Sequence, residues 1–207
     1  NGNSKELPGD YILKDVNGDG VVNDLDKTPL FWSGSPLIHY GFNVEASWKN
    51  FDFYALFQGS ALYTVQFDEV YAKMLCFKGG NTPEYFYDRW HLSDPYDANS
   101  EWIPGEWPAI RLEQDMGSFY TRDSQIWRKN ASYLRLKTIE IGYTFSPRLM
   151  HKLGIGSLRI YANGNNLFTV CDPFVKAFDP EKIEGDYSAG LNYPLNKSFN
   201  FGLTLNF

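Results

Sequence analysis

The residues whose types and spacing best fit a chemical role lie between Asp15 and Asp26. They follow the order of an EF-hand-type calcium loop, with side-chain oxygens at positions one, three, five and twelve, a glycine at six and a carbonyl at seven. Calcium prefers such hard oxygen ligands. The spacing predicts a structural Ca²⁺ held by Asp15, Asn17, Asp19, Val21 and Asp26, although Asn-Gly-Asp-Gly is also simply a good turn sequence.

A second group of candidate residues is aromatic. The stretch 61–131 shows no sustained periodicity and is rich in Trp, Tyr, Pro and Asp. Indole rings offer flat apolar surfaces on which sugar rings can stack, so Trp90, Trp102 and Trp107 are candidates for contact with a carbohydrate. The alternative is that these rings pack the loops against one another.

No arrangement of residues predicts a catalytic reaction. The sequence contains no Ser-His-Asp order, no phosphate-binding loop and no zinc spacing, and its three histidines stand in unrelated contexts. We therefore predict that the chain is not an enzyme. The two cysteines, Cys76 and Cys171, form either one disulfide or two buried thiols.

Segments that alternate between apolar and polar residues must position these candidates. The last of them, KSFNFGLTLNF, puts Phe and Leu on one face of a strand and Ser, Asn, Gly and Thr on the other. A transmembrane strand of about 9–11 residues, apolar toward lipid and polar toward a wet lumen, has this length and pattern. The alternation predicts strands over 38–49, 51–60, 132–145, 156–168 and 197–207.

Two cations interrupt the alternation. In a regular strand Arg135 and Lys137 share a face with Ile139, which is an apolar face. We therefore expect both side chains to lie above the lipid band, near the rim of the sheet.

The composition agrees with strands that have one apolar and one polar face. Aromatic residues make up 17% of the chain, yet its mean hydropathy is −0.40. No stretch reaches the roughly 18 apolar residues of a membrane helix. A formal net charge of −6 argues against nucleic acid as a partner.

The connections predict how the strands are oriented. If the last strand runs toward the periplasm, the short turns at 49–50 and 146–155 are periplasmic and the long segments 1–37, 61–131 and 169–196 are extracellular loops. Five strands cannot close a barrel, and an open edge in lipid leaves backbone groups unpaired. The predicted fold is all-β, formed by the C-terminal strands of a large transmembrane antiparallel β-barrel, and we expect the chain to be a piece of a larger protein.

Several stretches together resemble the C-terminal part of SusC/RagA-type TonB-linked outer-membrane transporters, in the TonB-dependent receptor family. The resemblance covers most of the chain in the right order. It is carried by DVNGDGVVNDLDKT from Asp15, HYGFNVEASWKNFDFYALFQG from His39, DRW from Asp88, NASYLRLKTIEIGYTF from Asn130, LGIGSLRIYANGNNLF from Leu153, DPE from Asp179, and YPLNKSFNFGLTLNF from Tyr193.

This resemblance implies a multi-pass barrel of about 22 strands in the cell outer membrane, in contact with lipid and lipopolysaccharide. It implies a plug domain that is not in this chain, an N-terminal remainder of the same transporter, a SusD-like surface lipoprotein and energy from TonB. The expected substrates are oligosaccharides or, less often, peptides. The family has no catalytic motif to transfer.

A soluble extracellular β module that is stabilised by calcium and binds carbohydrate is the alternative. It explains the Asp15–Asp26 loop and the tryptophans. It does not explain strands of membrane-spanning length that end on an aromatic residue, Phe207.

Overall fold

The computed structural model describes residues 8–29, 31–67, 82–110, 125–183 and 192–207. The chain forms two compact units, one of residues 1–30 and 67–127 and the other of residues 31–66 and 128–207. No helix within the described ranges is long and apolar enough to cross a membrane.

Strands dominate the described residues, and the helices are short. The strands are β1 Ile38–Trp48, β2 Phe51–Ala61, β3 Thr64–Gln66, β4 His91–Leu92, β5 Trp102–Ile103, β6 Arg128–Asn130, β7 Tyr133–Thr144, β8 Ser157–Val170 and β9 Ser198–Asn206. The α-helices are α1 Pro147–Lys152 and α2 Pro173–Lys176, and single 3₁₀ turns lie at Asp24–Asp26, Glu84–Asp88, Gln125–Trp127 and Pro180–Lys182.

The second unit is built on an antiparallel sheet in the spatial order β1-β2-β7-β8-β9. These are the five segments in which apolar and polar residues alternate. The register places aromatic residues of neighbouring strands opposite each other. Phe42 lies opposite Phe57 with ring centroids 4.8 Å apart, and Phe51 lies opposite Tyr143, also at 4.8 Å. The described strands form an open sheet and not a closed barrel.

The two faces of this sheet differ sharply, because successive side chains of a strand point in opposite directions. One face, which we call the apolar face, carries Phe, Leu, Ile and Val side chains that are mostly exposed. In β9 it exposes 69% of Phe199, 85% of Phe201 and 67% of Leu203. The other, the polar face, carries mainly Asn, Ser, Thr and charged side chains.

A bulge in β7 overturns the expectation for Arg135 and Lys137. The register of β7 shifts between Leu136 and Thr138. Against β2, where these two residues pair with the consecutive Phe57 and Leu56, Lys137 is an extra residue, whereas β8 has two residues, 166–167, opposite it. One extra residue inverts the alternation on its N-terminal side. Arg135 therefore pairs with Gln58 and Thr169 on the polar face, and not with the apolar residues around Ile139. The prediction that Arg135 shares the apolar face with Ile139 was wrong.

Two short connections lie at one end of the sheet, which we call the turn end. Lys49 and Asn50 join β1 to β2, and Lys49 has a φ of +55°, as two-residue hairpin turns require. The segment 145–156, with α1, joins β7 to β8. The Thr144 amide donates to the Asn50 carbonyl at 2.9 Å, which holds both connections side by side.

At the opposite end of the sheet the second unit has a small core. β3 pairs with β6 there, and the chain from Cys171 to Ile183 folds against this region. The Tyr63 hydroxyl donates to the Pro180 carbonyl at 3.1 Å. Fully buried apolar side chains in this core are Tyr63, Ala131, Val175 and Ile183.

The first unit is organised around aromatic rings. Tyr85, Phe86, Trp107 and Trp127 form one cluster in which ring centroids lie 4.6 to 6.4 Å apart. The Trp127 indole donates to the Tyr11 hydroxyl at 2.5 Å. Burial raises the pKa of Tyr11 to about 12, because the ionised phenolate would lose its hydration.

Candidate functional site

The polar face carries a hydrogen-bonded chain of side chains that crosses four strands. Arg159 forms an ion pair with Asp52, and its Nη2 donates to Glu140 Oε1 at 2.7 Å. Asn163 Nδ2 donates to Glu140 Oε2 at 3.3 Å, and Asn200 Nδ2 donates to Asn163 Oδ1 at 2.9 Å. One cation between two carboxylates leaves this row with a small negative net charge, and its carboxylate and amide oxygens can accept further hydrogen bonds.

Gly142 makes the ionic part of this row possible. It lies between Asp52 on β2 and Arg159 on β8, and a Cβ at this position would overlap both the guanidinium and the carboxylate. Only glycine therefore allows these two side chains to meet across the middle strand.

A second polar row runs parallel to the first and has no charge. Thr138 Oγ1 donates to Asn165 Oδ1 at 3.1 Å, and Asn165 Nδ2 donates to Ser198 Oγ at 3.1 Å. Amides and hydroxyls of this kind can both donate and accept hydrogen bonds. The polar face thus offers a surface that suits uncharged, hydroxyl-rich or amide-rich molecules.

A buried ionic cluster lies on the polar face beyond these rows. Arg135 Nη2 contacts Asp179 Oδ1 at 2.5 Å, and its Nη1 contacts Glu181 Oε2 at 2.8 Å. Lys137 Nζ contacts Glu181 Oε1 at 2.7 Å, and Arg135 Nε donates to Thr169 Oγ1 at 3.0 Å. The Arg135 and Asp179 side chains are only 4% and 5% exposed, so this is a desolvated charge pair.

The cluster fixes the chain that follows β8. Asp179 has a φ of +64°, and its carboxylate accepts the amides of Glu181 at 3.1 Å and Leu195 at 2.7 Å. One aspartate thus joins Arg135 on the sheet to two positions in the segment 179–195. We call the segment 171–183, held in this way on the polar face, the tethered loop.

The sequence did not single out this cluster as a site. Its only signals were two cations, Arg135 and Lys137, in a strand that otherwise alternates regularly, and the DPE stretch quoted for the resemblance. Pairing them requires contacts between residues about forty positions apart, such as Arg135 and Asp179 at a separation of 44.

The three candidate tryptophans lie in different surroundings within the first unit. Trp107 is 8% exposed, and its ring belongs to the aromatic cluster. Trp90 is half-buried, with its side chain against Gly9, and its amide donates to the Trp107 carbonyl at 2.9 Å. Trp102 is half-buried in β5, opposite Leu92. Carbohydrate contact at these residues stays a prediction.

The Asp15–Asp26 loop is curled by its own carboxylates. Asp15 accepts the amides of Gly18 at 2.7 Å and Gly20 at 2.8 Å, and Asp26 accepts those of Val16 at 2.8 Å and Asn23 at 2.7 Å. These hydrogen bonds hold the pKa of Asp26 below its usual value.

This loop contains the donor types of a calcium site. Asn17 Nδ2, however, donates to Asp19 Oδ2 at 3.0 Å, so these two side chains are paired with each other. Among the described residues, no three His, Cys, Asp or Glu side chains lie close enough together to hold a metal. Calcium binding at this loop therefore stays a prediction.

Of the two cysteines, Cys76 lies outside the described residues. Cys171 is half-buried just after β8, and burial raises the pKa of its thiol.

Comparison with known proteins identifies receptors as relatives. No protein-family model matches the chain. TonB-dependent receptor P3 of Formosa agariphila is 27% identical over 208 aligned positions, which cover 97% of this chain and 19% of the receptor. TonB-dependent receptor P26 of the same organism is 28% identical over 214 positions, covering 98% of this chain and 20% of the receptor. The chain thus spans about a fifth of the length of these relatives.

Solved structures give the same fold. The RagAB peptide transporter matches with a TM-score of 0.60 at 24% identity, over 85% of this chain and 18% of the matched chain. The RagAB peptide importer in its open-open state matches with a TM-score of 0.61 at 24% identity, over 95% of this chain and 20% of the other. These relatives are receptors and transporters and not enzymes, which confirms the prediction that the chain is not an enzyme. The chain is therefore similar, over nearly its whole length, to part of TonB-dependent receptors, and its all-β fold matches a segment of the SusC/RagA-type barrel of the RagAB structures.

Proposed function

We propose that this chain forms part of the barrel wall of an outer-membrane transporter that imports oligosaccharides or peptides together with a SusD-like lipoprotein, driven by TonB. The observation that carries the proposal is the contrast between the two faces of the five-stranded sheet. The apolar face exposes aromatic and aliphatic side chains over the full length of its strands, and the polar face carries connected hydrogen-bonding rows.

The apolar face fits contact with lipid. Burial of one Phe or Leu side chain away from water is worth about 1.5–3 kcal/mol. The alternative, a soluble carbohydrate-binding module, would leave this entire face in water, with 85% of Phe201 and 67% of Leu203 exposed. Membrane insertion removes that cost, which favours the transporter over the soluble module.

The open edges of the sheet support a longer protein. Among the described strands, β1 and β9 each pair on one side only. Each backbone group left unpaired in lipid costs several kcal/mol, so both edges need further strands. We assign those strands to the remainder of the same transporter, in keeping with the fifth of each relative that this chain covers.

The polar face would line the transport passage. Most of its charged side chains lie in ion pairs, and its uncharged row of Thr138, Asn165 and Ser198 suits the hydroxyls of a sugar or the amides of a peptide. With the last strand running toward the periplasm, the turn end faces the periplasm and the tethered loop lies at the extracellular end, where a surface lipoprotein would deliver substrate.

The test uses the intact transporter in its own outer membrane. Cells that lack it should fail to take up one class of purified oligosaccharide or peptide, and dissipation of the proton gradient across the inner membrane should abolish uptake. The double variant N163L/N200L removes polar groups from the polar face and should slow uptake, while the matched control F201L on the apolar face should not. Unchanged uptake of every glycan and peptide after deletion would refute the proposal.

A further inference from the structure

Basic side chains are concentrated at the turn end of the sheet. Lys49 lies in the hairpin between β1 and β2, and Arg148 and Lys152 lie on α1; all three are exposed. The segment 145–158 contains no Asp or Glu, although the chain as a whole has a formal net charge of −6. Within the described parts of the chain, none of these three cations forms a salt bridge. The turn end is therefore a local positive patch.

Aromatic rings mark the same level of the apolar face. Trp48 is 67% exposed, and Lys49 Nζ lies 4.4 Å from the centre of its ring. Phe51 and Tyr143 lie 4.8 Å apart, and Tyr143 contacts Phe145 at 5.1 Å. Trp and Tyr concentrate where lipid headgroups meet the acyl chains, so the cations just beyond these rings lie at headgroup depth.

The helix α1 has the pattern of an interfacial segment. Arg148 and Lys152 are four residues apart and share one side of the helix; Leu149 lies on the adjacent side, and Leu153 follows as the C-cap residue. Both leucines are exposed, whereas Met150 is buried. An apolar stripe next to a cationic stripe allows a short helix to lie along a membrane surface.

We propose that the turn end is a docking surface for anionic phospholipid headgroups, which contact Lys49, Arg148 and Lys152 while Leu149 and Leu153 reach the acyl chains. This inference rests on the proposed function, because it requires the sheet to span a membrane. The partner is a lipid because the charged groups adjoin an exposed apolar face and an aromatic band, which a free phosphate would not use. It goes beyond transport, since contact with headgroups would fix the depth of the barrel wall in the bilayer.

The experiment measures lipid retention by the intact transporter. Native mass spectrometry of the detergent-purified protein would compare binding of phosphatidylglycerol and phosphatidylethanolamine. Each cation at an anionic surface contributes roughly fivefold to binding, so K49Q/R148Q/K152Q should lose about a hundredfold in its preference for phosphatidylglycerol. The matched control K176Q/K182Q/K197Q removes three exposed lysines away from the turn end and should keep the preference.

A second variant guards against loss of folding. Lys152 at the end of α1 also stabilises the helix dipole, so its removal could act through structure alone. The charge-conserving variant K49R/R148K/K152R should retain the lipid preference, and all variants should show the heat-dependent gel shift of a folded barrel.

Two results would overturn the inference. One is a turn-end variant that folds and keeps its preference for phosphatidylglycerol, and the other is displacement of that lipid by millimolar inorganic phosphate. A protein that is recovered soluble without detergent would instead overturn the proposed function, so the two failures are distinguishable.

Discussion

Removal of Arg135 gives a direct measure of the ionic cluster that holds the tethered loop. In R135M the Asp179 carboxylate keeps the amides of Glu181 and Leu195 but loses its only cationic partner among the described residues. Glu181 keeps Lys137 at 2.7 Å. The main effect of the substitution is therefore to leave one buried carboxylate, that of Asp179, without its counter-ion.

The expected magnitude follows from burial. Breaking a buried ion pair by removing one partner costs about 3–5 kcal/mol, because the other charge stays desolvated. At about 1.4 kcal/mol per factor of ten, this raises the population of opened tethered loop by roughly two to three and a half orders of magnitude. The opening should be local, since Asp179 and Glu181 belong to the loop and not to the strands.

R159M is the matched control for this substitution. Arg159 also bridges two carboxylates on the polar face, yet its side chain is 28% exposed and that of Asp52 is 40% exposed. Solvent screens such a pair, so its loss should cost at most about 1 kcal/mol. The two substitutions are chemically identical and differ in the burial of the pair that they break.

Hydrogen exchange of the detergent-purified intact transporter would measure both effects. The informative amides are those of Phe178 and Lys182, which donate to backbone carbonyls within the tethered loop at 3.0 and 2.9 Å. R135M should accelerate their exchange strongly and R159M hardly at all. D179N added to R135M should restore part of the protection, because the stranded charge is gone. Equal exchange in R135M and R159M would refute the reasoning from burial.

Three further predictions concern single positions. Y11F removes the acceptor of the buried Trp127 indole and should destabilise the aromatic cluster by about 1–3 kcal/mol, measured as faster hydrogen exchange over residues 82–110; unchanged exchange would contradict the importance of this bond. G142V should displace Arg159 from the polar row and lower the thermal midpoint of the purified transporter, whereas a midpoint equal to that of wild type would show that the row can be rearranged freely. Because folding lowers the pKa of Asp26, this carboxylate stabilises the loop at pH values above its unfolded pKa near 4, and the stabilisation is lost as the pH falls through the folded pKa. We also expect Ca²⁺ to slow hydrogen exchange over residues 15–26 in wild type but not in D26N.

The sequence by itself determined the strands and the character of their faces. Alternation with a period of two is a local property, and it placed β9 with its Phe and Leu residues on one face without knowledge of any neighbour. The two short connections at the turn end could also be predicted, because Lys49-Asn50 and the segment after Thr144 interrupt the alternation between strands that must pair.

Only the tertiary structure decided how the polar face is connected. The bulge at Lys137 exists only in relation to β2, so the sequence of β7 alone assigned Arg135 to the wrong face. Trp107 was a candidate for ligand contact by type, and its burial in a cluster depends on rings from distant parts of the chain. Local periodicity fixes which way a side chain points in a regular strand. Long-range pairing fixes where the regularity breaks and which charges meet, as Arg135 and Asp179 do.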